Sequence, residues 1–507
     1  MSLIARNSLF LSVAKFFSIS IYAVFGLVLA RQVTTDQNGI YSLMTTLLFF
    51  GGMISSFGIP LVITREVSRN KDKLVRFFHE GILAVRLGAF LATLALGVYI
   101  TVEQYLRGQM HVQIYTLFFL VMLTALTDAA AGICDALFQA HEKMAKPALV
   151  EILTGLLRAG GAMLAIYIAP QDFRVYAIFI VFAIGSSLRF FFISRLVRSN
   201  LFSKADLDVG HSVRIVDAWR LIKSSSFIAI FRVLRMLRNR LDVLLLGILF
   251  VSAVEGVQGN PDVARGIYMQ AVRVAIIFHT ITIAFNTALF PRLARETEDP
   301  TSLDGIRLTY SRAVRWQSFW AIPLACMVWI HSDYIAQFFG ADYLNGSPEF
   351  GVLGTTGEML KVLLIAVVFD CIGGPIGSIM LGYKEMEKKI PKIGLLLVSI
   401  SLILNIILIP RYGILGAAIA SAVTAGFEFV LKVWIVSRRL GSPLLVLSGV
   451  FPYLALTFIS FLPLLMNWPS GVLKSTLIFG VIYLTLCALF KKIDPAVFKL
   501  LSGLRRN

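Results

Sequence analysis

What most constrains this chain is the recurrence, from one end to the other, of long apolar runs. A bilayer core of about 30 Å takes roughly 20 residues of α-helix, and a backbone in hydrocarbon must satisfy its own hydrogen bonds. Runs at 8–30, 39–63, 81–102, 114–138, 148–169, 175–194, 224–250, 266–290, 316–335, 353–383, 393–410, 413–436, 443–466 and 472–490 suit that length. They predict an all-α integral membrane protein of about fourteen transmembrane helices. The first run is too long for a signal-peptide core and lacks a small-residue cleavage site, so it is read as a retained span. A mean hydropathy of +0.80 excludes an ordinary soluble domain.

The net charge of +18 invites a nucleic-acid reading, but the positions of the charges oppose it. With both termini inside, thirty Lys and Arg fall in cytoplasmic loops, among them Arg65, Arg69, Lys71, Lys73 and Arg76, and Lys384, Lys388, Lys389 and Lys392. Only six, Arg31, Arg107, Arg174, Arg265, Arg411 and Lys474, fall outside. That asymmetry predicts cytoplasmic termini in a bacterial inner membrane, with no nucleic-acid partner. Cys134, Cys326, Cys371 and Cys487 show no metal-type spacing, so neither a metal site nor a disulfide framework is expected.

The longest hydrophilic stretch divides the spans six and eight. The expected organisation is a first lobe at 1–196, a cytoplasmic linker at 197–222, a second lobe at 223–440, and two further helices with a basic tail at 441–507. The halves echo one another. Gly39-Ile40-Tyr41 opens the second span, with Pro60 and Arg65-Glu66 after it; Gly266-Ile267-Tyr268 opens the eighth, with Pro291 and Arg295-Glu296 after it. LFQAHEKMAKP (137–147) leaves the fourth span as LGYKEMEKKIP (381–391) leaves the tenth. Each pair falls on the same side of the membrane, which predicts two six-helix lobes related by a pseudo-two-fold along the membrane normal.

Further motifs run along nearly the whole chain: Asn7 to Lys15 in the first span, Leu29-Ala30-Arg31 before the first GIY, RGIYMQAVRV at 265–274, FPRLARE at 290–296, FFGADY at 338–343 and LIPRYGILGAAIA at 408–420. In these the chain resembles the polysaccharide-type flippases of the multidrug, oligosaccharidyl-lipid and polysaccharide (MOP) exporter superfamily. The resemblance implies a MATE-like fold that moves a lipid-linked saccharide by alternating access, with spans thirteen and fourteen outside the core. Expected partners are a polyprenyl-phosphate-linked saccharide, membrane lipids, and the polymerase and glycosyltransferases of surface polysaccharide synthesis. Independently of the resemblance, Pro410 is expected to stop the eleventh span, Gly413 to allow a tight reversal, and Gly416, Ala417, Ala418 and Ala420 to give a smooth packing face.

Charges within spans are the candidate chemistry. Arg232, Arg235, Arg238 and Arg240 share the seventh span, and at about 2.5–3.5 kcal/mol each they would cost roughly 10–14 kcal/mol against lipid. Arg232, Arg235 and Arg238, at i, i+3, i+6, make a stripe suited to bidentate phosphate binding, with Asp242 in reach of Arg238. Two readings stay open for it: a headgroup site in a central cavity, or a cytoplasmic basic helix leading into the membrane. Against the second, Leu241 to Ala253 is too short to span. Lys15, Arg273 and Arg31 are weaker phosphate candidates, and Arg31 also suits a lipid anchor. Asp128 and Asp135 share one face of the fourth span and, with Asp370, are candidates for coupling to protons or sodium; the membrane potential is the other source of drive considered, and no cofactor is expected. Such acids serve equally as partners of nearby cations, as Glu428 would for Lys432, while Arg86, Arg158 and Arg189 suit snorkelling or helix bridging.

No catalytic residue is assigned. Asp206-Leu207-Asp208 matches the DxD of glycosyltransferases, but its loop is too short for a nucleotide-binding domain, and no P-loop or GxGxxG occurs. The rival readings are a membrane glycosyltransferase or polymerase, and a multidrug exporter of the same superfamily. The basic intramembrane surplus favours an anionic cargo over a cationic drug.

Overall fold

The computed structural model describes residues 21, 24–108, 110–202, 214–252, 254–298, 303–382, 389–440, 444–465 and 471–490. Among them the chain is helical almost throughout, with one isolated β-bridge between Ser347 and Val352. After a helical stretch at 24–32 come α1 (Thr35–Ser56), α2 (Ile59–Arg69), α3 (Leu74–Leu106), α4 (Val112–Ala140), α5 (Ala145–Ile168), α6 (Arg174–Asn200) and α7 (Ile215–Leu249). Then follow α8 (Pro261–Glu298), α9 (Leu303–Ile330), α10 (Ser332–Phe339), α11 (Ala341–Asn345), α12 (Thr356–Gly382), α13 (Ile390–Leu440), α14 (Leu444–Leu465) and α15 (Val472–Leu489). The predicted fold class stands.

Eight helices of the described residues are long and apolar enough to cross a membrane, or nine if α9 and α10, bent by 63°, count as one broken span. The expected fourteen is not reached by this measure for physical reasons. Most of the first span lies outside the described residues, α7 carries too many charges, α14 and α15 offer shorter apolar stretches, and α13 holds the eleventh and twelfth runs in one element. Pro410 does not stop α13; the backbone leaves helical geometry at Gly413 (φ 56°, ψ −132°), where an L side chain would be strained. A Cβ on Gly416 would overlap the Leu408 carbonyl, so this glycine is what permits the tight bend. The expected linker also holds helix at both ends, because α6 runs to Asn200 and α7 begins at Ile215. Polar cytoplasmic turns can continue a helix past its apolar run.

By compactness the chain groups into two units, residues 1–270, 339–355 and 390–417 in one and 271–338, 356–389 and 418–507 in the other. In the first unit, α4 and α5 both pack closely on α6, and α1 lies against α3 and α4. One buried cluster gathers Ile63, Val85, Ile133, Leu137, Phe138 and Val197; another gathers Phe25, Leu43, Met44, Leu47, Val121 and Phe179. In the second unit, Met327, Leu456, Phe479, Tyr483 and Cys487 join α9, α14 and α15, and the Tyr483 hydroxyl donates to the Phe319 carbonyl (2.8 Å). Phe90, Val98, Phe119, Leu164 and Phe451 are largely exposed, as lipid-facing side chains must be.

The two GIY motifs meet within the first unit. A Cβ on Gly39 would overlap the Asp262 carbonyl, and one on Gly266 would overlap the Thr35 carbonyl. In each case the partner lies four residues before the other glycine, so the contact is reciprocal, as a two-fold relation requires. Asn38 Nδ2 caps it by donating to the Gly266 carbonyl (3.3 Å) and the Tyr343 hydroxyl (2.9 Å).

Candidate functional site

The arginines of α7 occupy an unbroken 35-residue helix. Arg235 is exposed, Arg232 and Arg238 are half-buried, and Arg238 Nε donates to Asn239 Oδ1 (3.2 Å). Arg240, one turn position off the stripe, is drawn into the protein: its guanidinium carbon lies 5.5 Å from the Phe49 ring centroid and its Nη1 3.7 Å from Met269 Sδ. An aromatic face and a thioether are soft partners for a weakly hydrated cation. Two residues on, Asp242 is buried, accepts the Tyr268 hydroxyl, and takes its neighbour Val243 N–H (2.8 Å). Arg31 is exposed at the end of the 24–32 stretch, Arg273 is half-buried on α8, and Lys15 lies outside the described residues.

The last turns of α7 belong to a buried ionic network. Arg265 is 0% exposed and grips Glu103 with both Nη atoms (2.8 and 2.9 Å). Its Nη1 also reaches Asp262 (3.1 Å), its Nη2 the Tyr99 hydroxyl (3.1 Å) and its Nε the Val243 carbonyl (2.9 Å). Arg107 pairs with Glu103, with Asp262 (2.8 Å) and with the Gly247 carbonyl (3.3 Å), while Tyr99 donates to the Leu244 carbonyl (2.8 Å). Two arginines and two carboxylates thus tie the end of α3 and the end of α7 to the start of α8. A Cβ on Gly247 would overlap Arg265, so glycine makes room for the fork. The sequence reading took Arg107 and Arg265 for outer-loop residues; in the structure Arg265 sits inside α8, because its charge is met by Glu103 rather than by water. At about 1.5 Å per residue, Arg238 and Arg232 lie roughly 8 and 17 Å along α7 from Val243.

Asp128 and Asp135 join a second charged cluster, on α4, α5 and α6. Arg158 Nη1 donates to Asp128 (3.0 and 3.2 Å) and to the Ser186 hydroxyl (3.1 Å). Arg189 Nη2 donates to Asp135 Oδ2 (2.7 Å) and lies 2.6 Å from Glu151 Oε2, while its Nη1 is 3.7 Å from Asp128. Arg158 and Arg189 therefore bridge helices, one of the two roles expected for them. Glu151 was not singled out as a site residue; the available signal was its place seven residues before Arg158 on the same helix face. Asp370 lies elsewhere, 3.6 Å from His279 Nε2 in the second unit, where Lys432 also pairs with Glu428 (2.6 Å) as its spacing predicts. Among the described residues no group of three or more His, Cys, Asp or Glu is arranged to hold a metal.

A sequence-family profile described as "Polysaccharide biosynthesis protein" matches residues 4–296, more than half of the chain. The chain belongs to that family. It is 26% identical over 200 residues to the probable flippase AglR of Haloferax volcanii, 39% of this chain and 38% of that one, so the match takes in less than half of that relative. It is 24% identical to the uncharacterized membrane protein MJ1375 of Methanocaldococcus jannaschii, over 86% of this chain and 98% of that one. Among solved structures it superposes on a lipid II flippase, MurJ, in an inward closed conformation, with a TM-score of 0.70, 15% identity, and coverage of 95% of this chain and 98% of that one. A MATE transporter of Vibrio cholerae, VcmN, gives 0.54 at 14% identity, covering 87% and 98%. At such identities these likenesses show the fold.

Proposed function

We propose that this membrane protein is a flippase that carries a lipid-linked phosphate or pyrophosphate saccharide from the inner to the outer leaflet of the cytoplasmic membrane by alternating access. The observation that carries the reading is the arginine stripe within α7. Its guanidinium groups lie roughly 8–17 Å along the helix from the buried network, a range that falls within a hydrocarbon core of about 30 Å. Fixed cations at that depth are expensive unless they face protein, water or an anionic cargo. A guanidinium keeps its charge when desolvated and matches phosphate oxygens in pairs, so Arg232, Arg235 and Arg238 suit a headgroup held and then released. Arg31, at the end of the 24–32 stretch in the same unit, is a secondary candidate in this scheme. The family and the MurJ-like fold support the same cargo class, and they make the polymerase and glycosyltransferases of polysaccharide assembly the natural partners.

Alternating access needs one side shut while the other is open. The network of Glu103, Arg107, Asp262 and Arg265 suits the shut side, since it draws the two repeat-related helix starts together where they meet through Gly39 and Gly266. The test is complementation. A deletion strain should accumulate lipid-linked saccharide on the inner leaflet, wild-type protein should clear it, and Arg235→Ala, inserted at wild-type level, should not. Full clearance by Arg235→Ala would remove the site assignment, and normal surface polysaccharide in the deletion strain would remove the function.

A further inference from the structure

Between α4 and α6 the outer surface of the first unit carries a groove of about 470 Å³. Leu120 and Leu123 of α4 and Ile180, Ile184, Leu188 and Phe191 of α6 line it, and the one hydroxyl in the lining is that of Ser187. Ile180, Ile184 and Phe191 are exposed, as side chains on the lipid face of a span are. From Ile180 to Phe191 the groove runs roughly 16 Å along the helix, about half of a hydrocarbon core of about 30 Å. That is the depth of one leaflet. A partner helix crossing the membrane would need the whole of it.

Beyond Phe191 the same face of α6 turns basic. Leu188, Phe191, Arg195 and Arg198 stand at i, i+3, i+7 and i+10, so the two arginines continue the line of the groove roughly 6 and 10 Å past its end. Both are exposed, and among the described residues neither has a carboxylate partner. The Arg198 guanidinium carbon lies 5.9 Å from the Phe78 ring centroid, which steadies it against α3 without spending its charge. At the turn before α5, Lys146 donates to Asn200 Oδ1 in the last turn of α6 and brings a third cation to this end. An apolar slot one leaflet deep thus leads to uncompensated cations at headgroup height.

We infer that the groove between α4 and α6 binds one anionic phospholipid, with an acyl chain along Ile180 to Phe191 and the phosphate on Arg195 and Arg198. Guanidinium forks match phosphate oxygens in pairs, whereas a zwitterionic headgroup would bring a cation of its own to the same place. With the basic loops inside, the lipid belongs to the inner leaflet. The site stands whatever the cargo is.

Photolabelling tests it, with the full-length protein in phosphatidylcholine vesicles containing a minor fraction of phosphatidylglycerol that carries a diazirine on its acyl chain. Peptide mapping should find the label concentrated at 120–123 and 180–191. Moving the same labelled chain onto phosphatidylcholine should weaken it roughly thirty-fold, because each basic residue near the surface favours an anionic lipid by about five-fold. Arg195→Gln combined with Arg198→Gln, both on the surface, should bring phosphatidylglycerol down to the phosphatidylcholine level, and Ser187→Trp should exclude both lipids by filling the groove. Label spread evenly over other exposed apolar positions such as Phe90 and Leu164 would mean ordinary solvating lipid and overturn the site. So would equal labelling by the two headgroups, or undiminished labelling in the double arginine variant. Loss of the label on adding a polyprenyl pyrophosphate would give the groove to the tail of a cargo, and oxidative dimerisation of Ile184→Cys in native membranes would give it to a second copy of the chain; either overturns the phospholipid assignment. A deletion strain that never accumulates lipid-linked saccharide would sink the flippase reading and leave the labelling pattern as it is.

Discussion

Two buried ionic clusters in the same compact unit differ in one respect. At the ends of α3 and α7, Glu103 and Asp262 balance Arg107 and Arg265, and the principal pair is shut away, 0% and 1% exposed. On α4, α5 and α6, three carboxylates share two guanidinium groups, and Glu151 is 38% exposed. A balanced, sealed set of charges has nothing to exchange and acts as a clamp. An unbalanced, partly open set keeps its surplus carboxylate in reach of water.

The contrast can be broken at four places. Arg265→Ala should have the largest effect, about 3–5 kcal/mol, because it empties a dry pocket and leaves Glu103 and Asp262 to share Arg107. Chemical denaturation in detergent micelles would register this, and an unchanged midpoint would mean the network clamps nothing. Glu103→Gln keeps the shape and removes the charge; it should cost about 2–3 kcal/mol by taking from Arg265 its two-toothed partner and leaving it the single Asp262 contact. The same carboxylate-to-amide exchange at Glu151 should behave oppositely, staying within about 1 kcal/mol, since Arg189 keeps Asp135 and the Glu151 side chain is 38% exposed. Equal losses for Glu103→Gln and Glu151→Gln would erase the distinction. Lys361→Gln, in a pair with Asp333 (3.0 Å) that is largely exposed, should move the midpoint by less than about 0.5 kcal/mol and sets the floor.

Much of this was legible in the residues. Apolar run length located α1 to α6, α12 and α13, because hydrocarbon thickness acts on every span alike. The GIY echo pointed to a repeat, and the structure brings the two copies into contact through their glycines. Asp128 and Asp135 share a face at i, i+7, so their meeting was readable within one helix. Their partners were not, because Glu151, Arg158 and Arg189 come from other helices whose rotation no periodicity fixes. Counting Lys and Arg says which side a loop prefers but nothing of depth. That is why Arg265, which meets Glu103 across 162 residues, passed for a loop residue. The reversal falls at Gly413 as its residue type foretold, while Pro410 is carried inside the helix just before it.

The glycine contact bears on how such a chain arose. Gly39 touches the peptide that precedes Gly266 by four residues, and Gly266 touches its counterpart before Gly39. Each copy of the motif thus brings the same two parts to the junction, a glycine and the carbonyl one helical turn before it. Because backbone meets backbone there, later divergence of the side chains in either half left the seam undisturbed.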